Sequence, residues 1–255
     1  QMKIKHLLCF IALCLFFTPG KAQQLSVMTL RNGATVYIWE DKSKPDVFGM
    51  IAFKVGSVDD PEQYTGLAHY LEHVMFKGTQ TIDALDWEKE KPIYEKIIAK
   101  YDERAALSDP AAREAVDKEI NDLTREAAQY AAGNEFSLLV DHMGGQGLNA
   151  STGYDQTEYH NSFPPSQLEK WLEIYSERLI APVFRGFQTE LEAVYEEYNM
   201  YNDDRGSRMR EFIYEQAFGD HPYARPIIGL PEHLKNPQLS KLIDFYNTWY
   251  CLLYT

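Results

Sequence analysis

Thr65-Gly66-Leu67-Ala68-His69-Tyr70-Leu71-Glu72-His73-Val74-Met75-Phe76-Lys77-Gly78-Thr79 is the stretch around which the chain is organised. Two histidines four residues apart on a helix leave the same face one turn apart, so the imidazoles of His69 and His73 can reach one cation. Glu72 follows His69 by three residues and joins the same patch. The result is H-x-x-E-H, the inverted form of the H-E-x-x-H of zinc proteases. A hydrolytic zinc centre takes three protein ligands, keeps one position open for water, and places a carboxylate where it can accept the water's proton. His69 and His73 are therefore candidate ligands and Glu72 the candidate base. Thr65 predicts the helix N-cap and Gly78 its C-terminal stop, about three turns apart. Leu67, Leu71, Val74 and Met75 recur at helical spacing and predict one buried face, leaving the His/Glu face to line something else. Histidines also fall beside glutamates by chance, and the pentad alone leaves that alternative open.

Outward toward the amino end, Met2-Lys3-Ile4-Lys5 is basic, Leu7 to Phe17 is apolar, and Gly20-Lys21-Ala22 offers small residues where a signal peptidase reads. Residues 1–22 are expected to be a signal peptide, with Gln23 the mature start and the periplasm the destination. The apolar run is short of the about 20 residues a bilayer span needs, and the bulky Leu13 before Cys14 does not suit a lipoprotein, so no stable membrane anchor is expected. Cys9 and Cys14 leave with that segment; Cys251 remains, and the mature chain is predicted to have no internal disulfide. The formal net charge is −13, and losing Lys3, Lys5 and Lys21 makes it more acidic still. Such a surface argues against nucleic acid or an anionic membrane as partner. With 45% hydrophobic residues the chain can bury a sizeable core.

Between the leader and the pentad, Leu25–Leu30 and Thr35–Trp39 alternate around Asn32-Gly33, a two-residue turn signal. Val47–Val55 predicts a third strand, and Gly56 to Pro61 a loop into the metal helix. Strands followed by a helix, without regular βαβ alternation, predict an α+β fold, mostly antiparallel sheet packed by helices. Residues 82–132 differ in texture. Ile93, Ile97, Ile98 and Tyr101 keep helical spacing amid Lys and Glu, Ser108-Asp109-Pro110 breaks the run, and an Ala-rich helix follows. This predicts a helical hairpin inserted between motifs, its charges a solvated face. Gly144 to His160, with glycines at 144, 145, 147 and 153, is extended in character and suits either an ordinary hairpin or an exposed strand edge to which a peptide adds itself. Leu168, Trp171, Leu172, Tyr175 and Leu179 predict the core stripe of a helix. In the helix around Glu190-Leu191-Glu192-Ala193-Val194-Tyr195-Glu196-Glu197-Tyr198, the predicted apolar stripe is Leu191, Val194, Tyr195 and Tyr198. Glu190 and Glu197 lie two turns apart on nearly one bearing, and Glu192 and Glu196 on another. A third metal ligand is wanted, and spacing does not choose among these four.

On these residues the chain resembles the pitrilysin/insulinase family of inverzincin metallopeptidases, specifically its exported bacterial members, from roughly Leu25 to Tyr250. The resemblance implies the fold of the metalloenzyme domain shared by pitrilysin and mitochondrial processing peptidase, a Zn2+ cofactor, and a glutamate ligand on a later helix. The family's ligand glutamate follows another functional glutamate by seven with Ala-Val between, which selects Glu197 as ligand and Glu190 as a supporting or charge-setting residue. The His73-to-Glu197 separation is long for the family, and the helical insertion accounts for the excess. Asn149-Ala150 matches the family's Asn-Ala on the edge strand where substrate backbone docks. His221, beside Pro222, is expected to be a turn residue.

The family pattern stops after Tyr250, and Cys251–Thr255 does not resemble its continuation. The resemblance thus implies that the last strands of this domain and a second homologous domain or subunit lie outside the chain, which alone is expected to be weakly active or inactive and to carry an unpaired sheet edge prone to self-association. The reading is a zinc endopeptidase domain over residues 23–255, acting on a peptide substrate or unfolded segments with Glu72 as general base. The alternatives are a noncatalytic peptide-binding half, which needs no water-activating carboxylate, and a zinc-stabilised structural domain, which would close its site with four ligands.

Overall fold

The computed structural model of the chain describes residues 25–250; the expected leader over residues 1–22 and the tail Cys251–Thr255 lie outside the described residues. The chain divides after Lys44 into two units. In the first, strand β1 (Leu25–Thr29) pairs antiparallel with β2 (Thr35–Trp39), Leu25 opposite Trp39 and Thr29 opposite Thr35. The expected two-residue Asn-Gly turn is not what closes them. The Leu30 N–H donates to the Ala34 carbonyl at 2.8 Å and the Gly33 N–H to the Leu30 carbonyl at 3.0 Å, which leaves a three-residue loop. In that loop Gly33 has a φ of +84° while Asn32 does not cross to positive φ. A two-residue type I′ turn needs positive φ at both central positions, whereas a type I turn followed by one left-handed residue needs it only at the last. The Asn32 Oδ1 accepts from the Ala34 N–H at 3.2 Å and fixes this alternative.

In the second unit, β3 (Val47–Phe53), β4 (Gln146–Thr152) and β5 (Thr157–Phe163) form an antiparallel sheet in the order β3-β5-β4. Helices follow and interleave: α1 (Leu67–Val74), α2 (Trp87–Ala106), α3 (Pro110–Ala127), α4 (Glu135–His142), α5 (Leu168–Ile180), α6 (Phe187–Asp203), α7 (Arg205–Phe218), the short α8 (Pro231–Leu234) and α9 (Leu239–Trp249). This is the α+β arrangement expected, with antiparallel strands packed by helices. Among the described residues no helix is long and apolar enough to cross a membrane. The hairpin within residues 82–132 is α2 and α3. Asp109 accepts the Ala112 N–H at 3.1 Å as N-cap of α3 and Pro110 takes its first position. Ile93, Ile97 and Tyr101 of α2 are buried, as are Val116 and Ile120 of α3.

The stripe expected on α5 is only partly right. Leu168 and Leu172 are exposed, and the buried face is Trp171, Ile174, Tyr175, Arg178 and Leu179. A polar residue of β5 explains the rotation. Asn161 is fully buried, and its Oδ1 accepts from Trp171 Nε1 and from the Tyr175 hydroxyl, both at 2.8 Å. These bonds hold both aromatics against the sheet. Arg178 is also fully buried; its Nε donates to the Met75 carbonyl at 2.9 Å, and its guanidinium carbon lies 4.3 Å from the ring centres of Phe76 and Tyr159. Aromatic faces offset part of the cost of removing that charge from water. On α6, Leu191 and Val194 are buried while Tyr195 and Tyr198 are half-buried, so the core face is Phe187, Leu191 and Val194.

Helix α1 is shorter than its sequence limits suggested. Its N-cap is Gly66 rather than Thr65, and the helix runs only to Val74 with Met75 as C-cap, ahead of Gly78. The Thr65 hydroxyl is engaged elsewhere, 2.8 Å from His233 Nδ1 and accepting the Leu230 N–H at 2.9 Å. Asp60, from the preceding loop, takes over the capping: its carboxylate accepts the N–H of Gly66 at 2.7 Å and of Ala68 at 2.9 Å. Gly66 is required by space as well as by its φ of +89°, because a Cβ there would lie 2.6 Å from the Ile228 carbonyl oxygen. Asp60→Ala leaves two buried N–H groups and a helix N-terminus without an acceptor. It is expected to cost roughly 2–4 kcal/mol, read as a lower urea midpoint with an unchanged m value.

Candidate metal centre

With Ala68, Tyr70, Leu71, Val74 and Met75 packed inward, α1 turns His69, Glu72 and His73 toward a cavity of about 670 Å³. Helix α6 enters from Gly186, whose φ is +61°, and the Tyr70 hydroxyl donates to the Phe187 carbonyl, tying the two helices at that point. Their seven-residue spacing lets both Glu190 and Glu197 face α1. The four carboxylates that spacing left open are thereby separated. Glu192 and Glu196 are exposed, whereas Glu190 and Glu197 line the cavity.

His69 Nε2 lies 3.5 Å and His73 Nε2 3.6 Å from the same oxygen, Glu197 Oε2. One ligand atom from each of the three residues lies within 4.8 Å of the others. Four-coordinate zinc with bonds of about 2.0–2.1 Å would set its ligand atoms about 3.3 Å apart. The nitrogen-to-carboxylate separations are close to that edge, and two imidazole nitrogens with one carboxylate are a donor set zinc accepts. The residues therefore fit such an ion.

The electrostatics are asymmetric across the pair. Burial, helped by the neighbouring His73, pushes His69 down to about 4, so it is neutral and able to act as a ligand near pH 7. Burial would also pull His73 down, but Glu190 and Glu197 outweigh it and hold this imidazole up at about 9 in the metal-free chain. Glu190 Oε2 lies 3.5 Å from His73 Nδ1, and its other oxygen pairs with Lys77 Nζ. A carboxylate behind a ligating histidine fixes which ring nitrogen points at the metal. His69 has no such support: its Nδ1 is buried without a hydrogen-bond partner among the described residues. His73 lowers the carboxyl groups of both Glu190 and Glu197 below the usual range.

Glu72 sits beside the set. Burial raises its carboxyl above the ordinary value, opposed by the Thr152 hydroxyl, which donates to Glu72 Oε2 at 2.6 Å. Thr152 is a residue that sequence reading missed, although it lies three positions after Asn149 on the same strand. Asn149 and Ala150 are on β4, the edge of the sheet; Asn149 is exposed and both line the cavity. The turn beyond β4 is pinned to the loop before α1, since the N–H groups of Ser57 and Val58 donate to the Gly153 and Tyr154 carbonyls at 3.1 and 3.0 Å. Arg210 and Tyr214 of α7 also line the cavity. His221 lies away from the ligand set as a turn residue, its Nδ1 accepting the Tyr223 N–H at 3.1 Å.

Residues 35–91 and 120–230 match the model of the insulinase family (peptidase family M16), and the gap between the two stretches falls in the α2–α3 hairpin. Over 236 residues the chain is 22% identical to a protein of Dictyostelium discoideum named insulin-degrading enzyme homolog, covering 91% of this chain and 19% of that one. Over 227 residues it is 25% identical to zinc protease PqqE of Helicobacter pylori, covering 88% of this chain and 40% of that protein. Among solved structures, a protease from Helicobacter pylori aligns with a TM-score of 0.66 at 22% identity over 90% of this chain and 44% of that one. Pitrilysin aligns with a TM-score of 0.63 at 22% identity over 91% of this chain and 20% of its own. The chain thus spans less than half the length of these relatives and shares their fold over nearly all of its own.

Proposed function

The chain belongs to the insulinase family, peptidase family M16, and from that premise we propose that it is the zinc-binding catalytic domain of an endopeptidase acting on peptides or unfolded segments. The observation that carries this is the convergence of His69, His73 and Glu197 on one point with the carboxylate of Glu72 beside it. A binding module has no use for the fourth group, and a closed structural site would have a fourth ligand instead.

Zinc, when bound, supplies Lewis acidity that polarises a carbonyl and brings the pKa of a coordinated water toward about 7. The chain's own residues supply the rest. Glu72, held by Thr152, accepts the proton of the attacking water and hands it to the leaving amine. Glu190 orients His73. The edge of β4 at Asn149 and Ala150, unpaired on its outer side among the described residues, offers main-chain hydrogen bonds to an extended substrate, which grip a peptide irrespective of its sequence. The test is stoichiometric zinc together with cleavage of an unstructured peptide that a chelator abolishes and zinc restores; metal without any cleavage in the full-length protein would favour the noncatalytic reading.

Thr152→Val removes the hydroxyl and keeps the shape. Loss of a hydrogen bond to a charged group is worth about 1.5–3 kcal/mol, so kcat is expected to fall at least tenfold with zinc content unchanged. Because that bond lowers the Glu72 carboxyl, its loss moves the acidic limb of the pH–rate profile upward. A limb that stays in place would show that Thr152 does not act on the base.

The same reading includes a second homologous domain or subunit, supported by the greater length of the relatives and by the exposed Met209, Phe212 and Ile213 on α7. It also includes export to the periplasm, for which the basic and apolar segments before Gln23 are the support; mass spectrometry of the periplasmic fraction should find Gln23 at the amino terminus.

A further inference from the structure

We propose that Arg185 and Glu90 are positioning residues for the metal centre, through which the α2–α3 hairpin sets the placement of α1 against α6. Glu90, in the first turns of α2, is 1% exposed. Arg185 holds its carboxylate with two hydrogen bonds, from Nε at 2.6 Å and from Nη2 at 2.7 Å. The remaining nitrogen, Nη1, donates to the Thr79 carbonyl at 2.8 Å and to the Lys77 carbonyl at 3.3 Å, on the segment by which the chain leaves α1. Arg185 itself immediately precedes Gly186, the N-cap of α6. One guanidinium therefore joins the hairpin, the exit of α1 and the entrance of α6, and the last two helices carry all three candidate ligands.

The connection continues to the ligands through side chains. Lys77, whose carbonyl Arg185 holds, pairs through its Nζ with Glu190, and Glu190 faces His73 Nδ1 at 3.5 Å. Glu90, Arg185, Lys77, Glu190 and His73 form one chain of contacts from the inserted helix to a metal ligand. The planar fork of an arginine fixes direction as well as distance when it meets a carboxylate with two bonds. A buried ion pair is by contrast a weak source of net stability, because desolvation consumes most of the attraction. Geometry is thus what this pair contributes. Ile93, Ile97 and Tyr101 of α2 are buried in one apolar core with Val116 and Ile120 of α3, which makes the hairpin one body that Glu90 can transmit from.

This inference rests on the reading of His69, His73 and Glu197 as a metal site, and cobalt binding tests the two separately. Co2+ is titrated into the metal-free full chain and into Arg185→Gln, Glu90→Gln and Ile120→Ala, the visible absorption giving both affinity and geometry and circular dichroism confirming the fold. Ile120 is buried in the hairpin away from the clamp, so its variant loses stability without touching the contact chain. Groups that touch a metal ligand directly are worth about 10- to 100-fold in affinity. Arg185 acts through Lys77 and Glu190, so a loss of about tenfold, the lower end of that range, with an altered spectrum is expected for Arg185→Gln, with Ile120→Ala binding as the unaltered chain does. Glu90→Gln keeps the shape and loses one charge-assisted bond, and is expected to shift affinity in the same direction should Arg185→Gln fail to fold. Unchanged affinity and spectrum in the folded clamp variants, or an equal loss in Ile120→Ala, would overturn the proposal. An unaltered chain that binds no cobalt would overturn the metal site itself, and this inference with it.

Discussion

Glu72→Gln is expected to keep one zinc per chain while lowering kcat/KM for an unstructured peptide by about 10²–10⁴-fold, the usual contribution of a positioned general base. The substitution is nearly isosteric, and a glutamine oxygen can still accept the Thr152 hydroxyl that lies 2.6 Å from the carboxylate. The candidate ligands His69, His73 and Glu197 are untouched, so metal affinity should hold. What disappears is the ability to take a proton from water and return it to the amine. The loss should therefore fall on kcat rather than on KM, since the substitution leaves the proposed edge-strand contacts at β4 as they are. Zinc content by atomic absorption and steady-state cleavage by the full-length protein check the two halves. Turnover undiminished in Glu72→Gln would remove the base assignment and leave the carboxylate as a mere neighbour of the metal.

The part of this site that was legible in the sequence was the part written in local periodicity. His69 and His73 at i and i+4 on an apolar-striped helix could hardly fail to share a face, and Glu190 and Glu197 at a spacing of seven shared another. The choice of Glu197 over Glu192 and Glu196 required either a family pattern or the fold, because a helix alone does not say which face meets α1. The residues that went unread act across long sequence distances. Thr152 reaches Glu72 from a strand 80 positions away, and Arg178 reaches the Met75 carbonyl from 103. Asn161, a buried polar residue of β5 that no local pattern singles out, is the acceptor that turns Trp171 and Tyr175 inward and leaves Leu168 and Leu172 outside. Thr65 had the right chemistry for an N-cap but had already been claimed by His233 and Leu230, so Asp60 caps the helix in its place. Local propensity states what a residue can do, and competition in the folded chain decides which of those bonds it makes.

Glu197→Ala should abolish the stability that zinc adds, and the wild-type increment should grow with pH. At zinc concentrations 1,000 times the dissociation constant, binding to the folded state alone stabilises by about 4.1 kcal/mol. Removing the single oxygen that faces both Nε2 atoms leaves two histidines, too few to hold the ion at that concentration, and the increment should vanish. The pH dependence follows from His73, held up at about 9 in the metal-free chain by Glu190 and Glu197 against the opposing effect of burial. A histidine raised in the folded state contributes stability that is complete below its unfolded value near 6.5 and is lost as pH rises through about 9. The metal-free chain should accordingly lose this contribution between about pH 6.5 and 9. Zinc must displace the same proton, so its affinity should strengthen by up to about tenfold per pH unit across that window. The two slopes have opposite signs, and thermal unfolding at pH 7 and pH 9, with zinc and with chelator, separates them. Glu197→Ala also removes one of the carboxylates that hold the proton on His73, so the chelated variant should show a shallower slope than the chelated wild type. A zinc increment that persists in Glu197→Ala, or that ignores pH, would mean that the ion binds somewhere other than between these three side chains.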